Sequence, residues 1–136
     1  MIKNYFYLTV GILSILFTIS HTWNGLTATL PVLNNAVLDN DSITVFTYIW
    51  HIIGIENLVI GITLLIMAFQ KNRTKCNFVA WFIIAILAMR WIVIFATTVI
   101  MNCNAVIQLI PDSIAIIVVI VLLLLGIKVK SKNSNG

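Results

Sequence analysis

Residues 5–24, 43–69, 78–100 and 105–127 form four apolar runs. Each is long enough to cross a bilayer, which takes roughly 20 apolar residues at the rise of a helix. Inside hydrocarbon every backbone N–H and C=O needs a partner, and within a run of this length a helix supplies them all. The rest of the composition agrees. Of 136 residues, 61% are hydrophobic and 9% charged, with a mean hydropathy of +1.09, whereas soluble chains carry about 25% charge. The predicted class is all-α: an integral membrane four-helix bundle, a single transmembrane domain over residues 1–130 with a polar tail at 131–136. The lipid bilayer is its first partner, and the expected location is a prokaryotic cytoplasmic membrane, crossed several times.

Charge placement predicts the orientation. Lys3 precedes the first run, Lys71, Arg73 and Lys75 lie between the second and third, and Lys128, Lys130 and Lys132 follow the fourth. The other two connections hold no Lys or Arg, only Asp39 and Asp41 in the first. By the positive-inside rule both termini and the short basic loop are cytoplasmic. The net charge of +4 therefore reads as membrane orientation, and no nucleic-acid partner is expected. Cys76 and Cys103 follow different runs and fall on opposite sides, so an intrachain disulfide is not expected, and no Cys/His metal spacing occurs. Residues 26–42 are long for a helical connection. Their apolar first half predicts a short segment on the outer surface, broken by Pro31.

The first run, with Lys3 ahead of it, also has the outline of a cleaved signal peptide. Against that, no A-x-A-like site follows. Asn4, Tyr7, Gly11, Ser14, Thr18, His21 and Gly25 also keep an unbroken 3-4 spacing through the region where cleavage would occur. Such spacing places small and polar residues on one helical face. Thr47, Trp50, Gly54, Asn57, Gly61, Leu64 and Ala68 form a matching stripe on the second run. Small residues let membrane helices approach closely, and Ser, Thr and Asn bond across. The two stripes predict an antiparallel pair.

Costly side chains lie within these runs or at their outer edges, among them His21, His51, Glu56, Asn57, Arg90 and Asp112. At 1.5 Å per residue from the cytoplasmic ends, the ionisable ones fall at roughly 20–27 Å, a narrow band in the outer half. A charge at mid-bilayer costs at least a few kcal/mol, so these groups need partners or water. Glu56 and Arg90, at one estimated level, are the expected ion pair, with Thr97 on the same helical face as Arg90. The pair serves either to lock two helices or to build a site. His21 and His51, on neighbouring helices, read as hydrogen-bonded structural groups, as a ligand or proton site, or as haem or metal ligands. Asp112 after Pro111 reads as a helix cap or as part of the site. Trp50 lies on the packing stripe and can wall a pocket. Together these predict a ligand-binding set of His21, Trp50, His51, Glu56, Asn57, Arg90 and Asp112. No catalytic, metal or nucleotide-binding fingerprint is present.

In size, in its four spans, in His21 near the end of the first span and in the WHIIG stretch at Trp50–Gly54, the chain resembles the small bacterial membrane proteins grouped as DoxX-like. That resemblance implies the four-span architecture. The group is functionally mixed, and some members are associated with quinone-linked oxidoreductases, so no catalytic residue is carried across. Three functions stay open. One is a small-molecule binding or transport-related protein, with a small lipophilic or polar ligand in the outer half. The second is a membrane enzyme or a quinone- or haem-linked redox subunit. The third is a structural or accessory subunit that associates with a membrane partner or with a second copy of itself.

Overall fold

A computed structural model describes residues 1–36 and 38–129, so the polar tail expected over 131–136 lies outside the described residues. The described chain is all-α, with helices α1 (Tyr5–Asn24), α2 (Leu30–Asn34), α3 (Asn40–Phe69), α4 (Arg73–Met101) and α5 (Ile110–Lys128). A π-helical turn at Gly25–Thr29 joins α1 to α2, and a 3-10 segment at Cys103–Leu109 leads into α5. Four stretches are long and apolar enough to cross a membrane: Tyr5–Asn34, Asn40–Phe69, Arg73–Met101 and Cys103–Lys128. Dozens of large apolar side chains along them stay exposed, among them Phe46, Ile55, Phe82 and Ile117. Apolar surface on that scale is what a lipid-facing chain presents.

Two helices start earlier than their apolar runs, and capping explains both. Asp39 Oδ1 accepts from Ser42 N–H at 2.8 Å, and Oδ2 accepts from Ser42 Oγ at 2.7 Å. That is an N-cap geometry, which satisfies an otherwise orphaned donor of the first turn. Likewise Asn72 accepts from Lys75 N–H at 3.1 Å, and α4 starts at Arg73. Pro31 does not break the short segment that follows α1. It sits in the first turn of α2, where a missing N–H is tolerated. Ahead of it the widened turn lets Leu30 N–H reach back to Gly25 C=O.

The chain separates into two compact units. One is contiguous, Gly11–Ile66. Here α1 and α3 run antiparallel with their backbones nearly touching. A Cβ added at Gly11 would lie 3.0 Å from Gly61 O, and one added at Gly61 would lie 3.0 Å from Gly11 O. Larger residues at either position would force the helices apart. Further along, Thr18 Oγ1 donates to Ser14 C=O at 3.1 Å and to Gly54 C=O at 3.3 Å. Gly11, Ser14 and Thr18 of one small-residue stripe and Gly54 and Gly61 of the other thus form the contact surface of this pair.

The other unit joins Met1–Val10 to residues from Met67 onward. α4 buries Cys76, Ala80, Ile83, Ile84 and Leu87, and α5 buries Val119, Leu123 and Gly126. Those spacings of three and four mark one face of each helix. Near the start of the chain, the buried Asn4 makes five bonds. Its own N–H donates to Ala68 C=O at 3.1 Å, and its carbonyl accepts from Leu8 N–H at 3.2 Å. Oδ1 caps α1, accepting from Phe6 and Tyr7 N–H at 3.1 and 3.3 Å. Nδ2 donates to Gly126 C=O at 2.8 Å, and Tyr7 Oη donates to Asn77 Oδ1 at 3.2 Å. In the sequence, Asn4 and Tyr7 stand out only as members of a packing stripe.

Candidate functional site

The α1–α3 seam ends at His21, Trp50 and Gly25. The His21 and Trp50 rings stack with centroids 4.3 Å apart and planes 9° from parallel. Two hydrogen bonds cross in opposite directions. His21 Nε2 lies 3.0 Å from Trp50 C=O, and Trp50 Nε1–H donates to His21 C=O at 3.2 Å. A carbonyl oxygen only accepts, so Nε2 carries a proton. In the neutral ring Nδ1 is then the acceptor; in the charged ring it is a second donor. Both side chains are half-buried.

Gly25 makes this arrangement sterically feasible. A Cβ there would lie 2.1 Å from Trp50 Nε1 and 2.7 Å from Cδ1. The indole lies against bare backbone where α1 gives way to the widened turn. Single π-turns of this kind occur often at functional sites. Gly54, opposite, leaves ordinary contact with Thr22 and His21, at 3.5 and 3.7 Å from an added Cβ.

The remaining residues of the expected set fall in several places. His51 is exposed on α3, next in sequence to Trp50. One residue along a helix is a turn of about 100°, so the residue on the seam facing His21 is Trp50. Glu56 and Asn57 are half-buried on α3, in the contiguous unit. Arg90 is half-buried on α4 and belongs to the other unit, as does Asp112. Asp112 is exposed in the first turn of α5 beside Pro111. Its neighbour Ser113 accepts from Trp91 Nε1–H at 2.9 Å, and Trp91 stacks on Phe95 with centroids 5.3 Å apart. Thr97 is exposed. Of the expected set, the described contacts bring together His21 and Trp50.

Among the described residues no group of three His, Cys, Asp or Glu side chains gathers closely enough to hold a metal ion. Both thiols are free, Cys76 buried and Cys103 exposed. Gly25 and the widened turn were missed in the sequence reading as parts of the site. Gly25 closes the small-residue stripe, and Pro31 follows six residues later, so the signal was present but read only as packing. Comparison with family models, with curated proteins and with solved structures finds no match.

Proposed function

We propose that this chain is a multi-pass protein of a prokaryotic cytoplasmic membrane that binds a small molecule at the outer end of the α1–α3 seam, in a binding or transport-related role. The observation that carries this reading is the doubly bonded, stacked His21–Trp50 pair. Small residues alone suffice for close helix packing. An aromatic plane with an imidazole held in one tautomer adds two things that packing does not need. It offers a flat face for stacking, and at Nδ1 of the neutral ring a free acceptor position. The ligand class that fits is a small, partly apolar molecule bearing one N–H or O–H donor. The DoxX-like resemblance belongs to this proposal as a matter of architecture.

The test is mass spectrometry of what co-purifies with the protein in mild detergent, followed by binding of that compound to His21→Gln and His21→Ala. Retained folding with lost binding supports a ligand site. A second reading has its own observation: the two crossing bonds already use His21 Nε2 and Trp50 Nε1, as a helix clasp would. Under that reading the chain is an accessory subunit. Both variants then lose monodispersity in detergent, and one stoichiometric protein partner, with no small molecule, co-purifies.

A further inference from the structure

The unit built from the first ten residues and from Met67 onward gathers its described Lys and Arg side chains, Arg90 of mid-α4 apart, at one end. Lys3 N–H donates to Ala68 C=O at 2.8 Å, and Asn4 ties the same end to Gly126. The Arg73 guanidinium donates to Lys3 C=O. These bonds gather the start of α1, the α3–α4 connection and the last turn of α5 at one end. Lys3, Lys71, Arg73, Lys75 and Lys128 all belong to that end, and Lys71, Lys75 and Lys128 are exposed. Asp112 is the one acidic side chain among the unit's described residues. It lies at the opposite end of α5, roughly 24 Å away along the helix.

A second feature points the same way. α4 starts inside this cluster, at Arg73, and its first-turn N–H groups add the positive end of a helix dipole. Lys75 N–H is taken by the Asn72 cap, so the dipole adds field here rather than a separate pocket. Immediately below, Phe78, Trp81 and Phe82 of α4 are exposed and apolar. A cationic rim directly above an exposed apolar wall matches a molecule with an anionic head and hydrocarbon tails.

We infer that this end binds the phosphate headgroup of an anionic phospholipid, with the acyl chains lying along the exposed α4 face. Lys71, Lys75 and Lys128 supply the exposed cations. Arg73, held by the Lys3 carbonyl, fixes the connection that presents them. Surface cations of this kind each strengthen anionic lipid association by about fivefold near the membrane. Removing three therefore lowers the preference by roughly a hundredfold at low salt.

The experiment uses the full chain, delipidated in a neutral detergent. Native mass spectrometry counts lipids retained from mixed micelles of phosphatidylglycerol and phosphatidylcholine, for the wild type and for a Lys71→Gln/Lys75→Gln/Lys128→Gln variant. The expected result is a strong wild-type preference for phosphatidylglycerol that weakens with salt and is largely lost in the variant, while phosphatidylcholine retention is unchanged. Equal retention of the two lipids by the wild type overturns the inference, as does a preference that survives the triple substitution. If the variant does not stay monodisperse, the wild-type salt titration decides, and a salt-independent preference counts against the inference. Inorganic phosphate is the control for a lipid-free anion site. If it displaces phosphatidylglycerol at matched concentration, the surface recognises phosphate alone and the lipid assignment fails.

Discussion

Asn4 offers the sharpest test of how this chain holds together, because its three side-chain bonds can be removed in stages. It is 1% exposed, so water does not replace what a substitution takes away. Asn4→Ala removes the α1 cap, worth about 1 kcal/mol. It also removes the amide bond to Gly126 C=O, worth about 1 kcal/mol, and leaves that buried carbonyl short of a donor at a further cost of up to about 2 kcal/mol. The expected loss is about 2–4 kcal/mol. Asn4→Ser keeps an acceptor for the first-turn N–H groups but cannot reach Gly126, so it loses about half as much. Asn4→Asp keeps the cap and replaces a donor by a carboxylate oxygen facing a carbonyl. At neutral pH the aspartate is expected to be less stable than the serine. The protonated acid can donate to Gly126, so the folded state holds its proton more tightly than the unfolded chain does. The recovered stability is then present at low pH and lost as pH rises through the folded-state pKa. Reversible SDS titration in mixed micelles measures all four proteins. A loss below about 0.5 kcal/mol for the alanine, or an aspartate as stable as asparagine at neutral pH, refutes the account, since either lies outside the range expected for these bonds.

Gly25→Ala is expected to separate α1 from Trp50 or to displace the indole, because no methyl group fits 2.1 Å from Nε1. A changed Trp emission and a lowered unfolding midpoint would report it, and an unchanged spectrum would contradict it. Asp39, outside the spans, has its carboxyl held below the usual range, chiefly by the Ser42 N–H and then by the Ser42 hydroxyl. A depressed folded-state pKa means the cap is fully in place above the unfolded value and is lost as pH falls through the folded one. Protection of the first-turn amides of α3, relative to their intrinsic exchange rates, should therefore fall on acidification, and in Asp39→Ala it should be low at every pH. Topology is best read from Cys103, since Cys76 is only 4% exposed and would be spared on either side. An impermeant thiol reagent should label Cys103 on intact cells, and failure to label it there while detergent-solubilised protein reacts would reverse the orientation.

The close pairing of α1 with α3 was legible because small side chains leave a periodic mark. Gly11 opposite Gly61 and Thr18 opposite Gly54 follow from two stripes with matching spacing. The partner of His21 was half legible. Trp50 already stood on the α3 stripe, but chemical likeness suggested His51, whose side chain leaves the helix about 100° away. The knot around Asn4 was not legible. It depends on backbone carbonyls at Ala68 and Gly126, and carbonyls have no sequence signature. The widened turn at Gly25–Thr29 has the same difficulty: it records how an indole, a glycine and a proline settle jointly, and no one of them specifies it.

The bond from Asn4 to Gly126 spans nearly the whole chain, and it has a consequence for the order of assembly during synthesis. The Gly11–Ile66 hairpin is contiguous and can close as soon as α3 has been made. The Nδ2 donor of Asn4 has no partner until Gly126 emerges, roughly 3–12 s later at ordinary elongation rates. Through that interval the backbone N–H groups of Lys3 and Asn4 can already reach Ala68 C=O, and only the Asn4 Nδ2 donor waits. Completion of α5 is then the event that satisfies this amide, so a ribosome stalled before Gly126 would leave the start of α1 held to Ala68 but with the Asn4 Nδ2 donor unsatisfied.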